Sequence, residues 1–132
     1  MLRLPTLLCA ALVVLGCNER PSERYGMPTA DELPQLRAQA LAGSRIAARK
    51  LSLWHMKLPD GKNTYEYWTQ VGANNEDAIA QYNLAMIYLL DKPDVPGNKE
   101  RGLFWLEKAA AGGSTKAAAE LRARTRVGEN GP

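Results

Sequence analysis

The sequence predicts an all-α protein, a short α/α solenoid of about two to three helical hairpins behind a leader peptide and a flexible linker. After Thr29, Ala and Leu dominate, β-branched residues are sparse, and apolar alternation of strand type is absent. A segment around Ala47 recurs around Ala80 and again around Ala117, at spacings of 33 and then 37 residues. That period belongs to stacked helical hairpins rather than to a single bundle. The chain has only two cysteines, Cys9 and Cys17, too few for a disulfide framework, so the fold must be held by packing.

Residues 1–16 read as a leader. Arg3 is followed by an apolar run from Thr6 to Leu15, which stops abruptly at Asn18-Glu19-Arg20. This is signal-peptide patterning, and the run is shorter than the roughly 20 apolar residues of a membrane span. Val14-Leu15-Gly16-Cys17 resembles the lipobox of bacterial lipoproteins. The resemblance implies cleavage before Cys17, lipid attachment to its thiol and an additional fatty-acyl chain such as palmitate. Asn18 stands where an aspartate would, by that family's sorting rule, retain the protein at the inner membrane. The expectation is therefore an outer-membrane anchor facing the periplasm.

Cleavage leaves one basic residue fewer and a formal charge of +2 in place of +3. A balance so near zero, without clustered Lys or Arg on one face, excludes nucleic acid as an expected partner. Arg122, Arg124 and Arg126 are spaced by two and cannot share one helix face. Residues 17–29, the acylated cysteine and the polar stretch behind it, form the linker. Its twelve residues after Cys17 reach roughly 40 Å if extended and hold little to bury.

The helical domain is assigned to residues 30–127, with helices over 30–41, 44–56, 63–73, 76–90, 98–111 and 114–126. Thr29 and Glu32 have the spacing of a capping box, and Pro34 sits early in the first helix or delays its start. Lys57-Leu-Pro-Asp-Gly-Lys62 reads as a Pro-Asp-Gly turn. The segment Asp91 to Asn98, with two prolines and a glycine, reads as a loop, with Asn98 capping the helix after it. Residues 128–132 form a frayed tail.

The repeat can be laid out residue by residue. Gly43-Ser44, Glu76-Asp77 and Gly113-Ser114 open successive units; Ala47, Ala80 and Ala117 fall in one column, Leu51, Leu84 and Leu121 in another, and Trp68 overlies Trp105. Ala80, Leu84, Ile87 and Tyr88 form one helical stripe, and Trp105 is the expected knob of the hairpin. Ala80 to Tyr88 together with Glu100 to Gly112 resembles the Sel-one-like repeat, a relative of the tetratricopeptide repeat. The flanking units are degenerate, and Leu89-Leu90-Asp91 departs from the Gly-rich turn of that family, which leaves the loop's conformation open.

Catalysis is not expected. The single histidine, His55, lies between Trp54 and Met56 on an apolar helix, and no thiol remains free after processing. Asp91 and Asp94 lack the ligands of a calcium loop. No cofactor and no metal is expected, and Ser44 and Ser114 read as helix caps. The aromatic residues fall mostly at packing positions. If the first helix of each hairpin lines the concave side, as the resemblance implies, Arg49, Leu53, Met56, Tyr82, Met86 and Lys116 are the candidate contacts for a protein or peptide partner. The expectation is an adaptor held at the membrane by its lipid. A narrower alternative, also from resemblance, is an immunity protein neutralising an antibacterial phospholipase effector of type VI secretion. An envelope enzyme is the least favoured reading.

Overall fold

The computed structural model describes residues 26–129. The expected signal peptide, Cys17 and most of the linker lie outside the described residues, as does the end of the tail. A short 3-10 turn, Ala30–Glu32, leads into α1 (Leu33–Leu41), followed by α2 (Arg45–Met56), α3 (Lys62–Asn74), α4 (Ala78–Met86), α5 (Asn98–Ala111) and α6 (Thr115–Glu129). There is no strand among the described residues.

The entry is built as the sequence predicts. The Thr29 backbone N–H and hydroxyl both donate to the Glu32 carboxylate, at 2.7 and 3.1 Å, and Pro34 lies in the first turn of α1, where its missing N–H costs nothing. Ser44 and Ser114 do cap α2 and α6, accepting from the N–H of Ala47 and Ala117. Each turn between units passes through a left-handed residue: Gly43 at φ 103°, Glu76 at φ 62° and Gly113 at φ 91°. Glycine accepts this conformation freely; the glutamate does not.

Each helix packs mainly on its neighbours in sequence, so the core is a row of three clusters rather than one centre. Leu36, Ala40, Ala47, Ala48, Leu51 and Trp68 join α1, α2 and α3. Ala73, Ala80, Leu84 and Ile87 join α3 to α4, with Trp105 against them. Ala85, Leu106, Ala109 and Ala117 join α4, α5 and α6. In repeat phase, α2–α3 and α4–α5 are complete hairpins; α1 is a second helix without its first, and α6 a first helix without its second among the described residues.

Several positions differ from the sequence-based expectation. The helix expected over 76–90 begins at Ala78, because Glu76 is left-handed and Asp77 is the cap. Its last turn widens into a π turn, Ile87–Asp91, closed by Lys92 N–H to Ile87 C=O. That turn sets Leu89 over Gly102, where any Cβ would collide with its side chain. Asn98 does not cap α5: it is the first helical residue, behind Gly97 at φ 80°, and its buried amide donates to Lys92 C=O at 2.9 Å. Among the aromatics, Tyr67 and Phe104 are half exposed, each edge-on to the tryptophan beside it, because adjacent helical side chains point about 100° apart and the tryptophan takes the direction nearer the core. Trp105, expected as the anchor, is only partly buried, whereas its counterpart Trp68 is 5 % exposed.

Candidate protein-binding face

The first helices α2, α4 and α6 share one register, so the same positions of each present one face. The columns run Ile46, Ile79, Lys116; Arg49, Tyr82, Ala119; Lys50, Asn83, Glu120; and Leu53, Met86, Ala123. Five of the six expected contact residues fall in these columns. Met56 does not; it is the last residue of α2 and exposed.

The columns are not equally available. Tyr82 and Lys116 come together, lining with Ile79, Asn83, Ser114 and Thr115 a hollow of about 360 Å³ between α4 and α6. Ile79, an aliphatic residue 48 % exposed, also lines it and is the candidate that the sequence did not single out. The register that set Ile79 over Lys116 was the signal that could have found it. Tyr82 and Met86 are half-buried and lean on the third core cluster, so part of each belongs to the fold. Leu53 is half-buried on α2.

Arg49 is committed elsewhere. Its Nε and Nη2 donate to the two carboxylate oxygens of Asp77 at 2.8 and 2.7 Å, a bidentate pair across 28 residues. Asp77 is 1 % exposed and also accepts from the backbone N–H of Ile79 and Ala80. One carboxylate thus caps α4 and ties α2 to it. The neighbouring buried polar groups are satisfied too. The Thr69 hydroxyl donates to Tyr65 C=O and so accepts from Ser52, and Gln81 and Asn75 donate to the helix-end carbonyls of Ala73 and Ala40.

Residues 78–114 match the family model of the Sel1 repeat. That segment is one Sel1 repeat. The matched residues are α4, its π turn, the loop after it, α5 and the turn into Ser114, and Sel1 repeats are generally protein-interaction modules. No curated protein and no solved structure matches the chain significantly.

Among the described residues the titratable groups do not converge. His55 is half-buried, with Nε2 buried and unpartnered; desolvation, and then the charge of Arg37, lowers its pKa below the ordinary 6.5. Burial raises the Tyr65 phenol above its usual 10, and the backbone and hydroxyl of Thr29 lower Glu32. Among the described residues no three His, Cys, Asp or Glu stand where they could share a metal ion. No described helix is long and apolar enough to cross a membrane.

Proposed function

We propose that the protein is a lipid-anchored module of the bacterial envelope that binds a protein or peptide through the first-helix face of its Sel1 repeats. The observation that carries the binding site is the hollow between α4 and α6, where Ile79, Tyr82 and Lys116 offer an aliphatic, an aromatic and a cationic contact side by side. What supports the anchor is Cys17, closing the apolar run from Thr6 to Leu15 behind Arg3. Asn18 after it supports the outer membrane as the place of attachment, facing the periplasm. The polar linker then gives the repeats reach from the surface.

Three forms expressed in a bacterial host with labelled palmitate test both halves: wild type, Cys17→Ser, and Ile79→Asp with Tyr82→Ala. Label enters wild type and the face variant and is absent from Cys17→Ser. Crosslinked partners of wild type are lost from the face variant while its melting temperature stays within a few degrees. Label retained in Cys17→Ser contradicts the anchor, and partners retained by the folded face variant contradict the binding face. The narrower reading, an antidote to an antibacterial phospholipase, rests on resemblance alone. It requires that co-expression rescue cells from such an effector, and failure to rescue removes it.

A further inference from the structure

Sharing no residue with the Tyr82 hollow, α5 and α6 border a groove of about 630 Å³ floored by Leu89, Leu103 and Leu121. The repeat phase gives its origin: α6 is a first helix with no second helix among the described residues, and α5 is the wall such a helix would pack on. Lys99, Leu103 and Glu107 follow one another at intervals of four along α5 and all line the groove, a single stripe about 12 Å long at the helical rise. On the opposite wall the guanidinium of Arg124 donates to Glu120 at 2.8 Å, so those two charges offset each other. Lys99 and Glu107, both exposed, are left to define a basic end and an acidic end with leucine between.

A stripe that reads basic, apolar, acidic is its own complement when read backwards. We propose that this groove is the contact between two copies of the chain, related by a two-fold axis through Leu103. In that arrangement each Lys99 faces the second copy's Glu107, and the leucines meet at the axis. The interface is isologous and closes at two copies. A copy laid in the same sense would set Lys99 on Lys99 and Glu107 on Glu107, so the charges choose the antiparallel one. Of the first-helix face only Glu120 and Ala123 border the groove, and the hollow of Ile79, Tyr82 and Lys116 shares no residue with it.

Sedimentation equilibrium of the full chain in density-matched detergent tests this by charge exchange. Wild type shows a monomer–dimer equilibrium that weakens as salt is added. Lys99→Glu makes both ends acidic and Glu107→Lys makes both basic; each weakens the dimer by about tenfold or more. The double variant, Lys99→Glu with Glu107→Lys, inverts the polarity, keeps the complement, and returns to within about threefold of wild type. Leu103→Glu, which places like charges at the axis, abolishes the dimer. Circular dichroism melts establish that each variant is folded, and the double exchange decides the matter even where Leu103→Glu disturbs α5. A wild-type chain that stays monomeric at several hundred micromolar overturns the proposal and leaves the groove to another occupant. So does a dimer that the single reversals leave untouched, or one that the double exchange fails to restore.

Discussion

The first and second units of the stack occupy the same register and close it differently. Between α2 and α4 the register holds Arg49 and Asp77, a bidentate ion pair that is also a helix cap. One unit later the same two positions are Tyr82 and Ser114; the serine still caps, but it is too short to be grasped, and the junction is a hollow. The backbone repeats while the side chains decide whether a junction is sealed by an ion pair or left as a hollow. A similar contrast runs through the rest of the two units. Trp68 is buried where Trp105 is partly exposed, and the left-handed turn is a glutamate before α4 and a glycine before α6.

The contrast makes paired predictions. Trp68→Ala should lose about 3–5 kcal/mol, as for a fully enclosed large side chain, and Trp105→Ala nearer 2 kcal/mol, roughly in proportion to the smaller area it removes from water. Urea titrations of the two variants decide it; equal losses would mean that the partial exposure of Trp105 has no energetic meaning. Asp77→Ala should cost about 3 kcal/mol, because it strands the Arg49 guanidinium as well as uncapping α4. Ser114→Ala removes a cap only and should cost about 1 kcal/mol. Similar values for these two would break the distinction between sealed and open junctions.

Smaller effects sharpen the same picture. Glu76→Gly should stabilise the chain by roughly 1 kcal/mol, since a left-handed side chain is strained there by about that amount, and should raise Tm by several degrees in a domain of this size. Gly113→Ala, at the matched position, should move Tm the other way. Last comes pH. His55 has its pKa lowered in the fold, so below the ordinary 6.5 the unfolded chain binds more protons than the folded one. Its contribution is complete above that pH and is lost as pH falls through the folded value. The slope of stability against pH just below 6.5 should therefore flatten in His55→Gln, and an unchanged slope would contradict the assignment.

How much of this was legible in the sequence depends on the range of the interaction. The alanine and leucine columns fixed the register, and with it six helices and the caps at Ser44 and Ser114, because helix contacts and caps are set within a few residues. The Arg49–Asp77 pair was not legible. Asp77 could be read as a cap like the serines beside it in the alignment, but nothing local says that an arginine 28 residues earlier reaches it. The π turn also escaped, since it arises from fitting Leu89 over Gly102 in another helix. Asn98 was misread by one position, because Gly97 in a left-handed conformation takes the place of a cap. The adjacent pairs Tyr67-Trp68 and Phe104-Trp105 do not say which member turns to the core; packing chose the tryptophan both times. The candidate face was legible as a set of columns, but not that Arg49 is spent within the fold.

The central claim is that the two junctions are the same site filled differently, and grafting one into the other tests it most directly. In a double-mutant cycle, Tyr82→Arg and Ser114→Asp are introduced singly and together, and the unfolding free energies are compared. If α4 meets α6 as α2 meets α4, the new arginine and aspartate should couple favourably by about 1–3 kcal/mol beyond the sum of the single changes. Additive effects, within about 0.5 kcal/mol, would show that the residues do not meet, and would contradict the register on which the whole account rests.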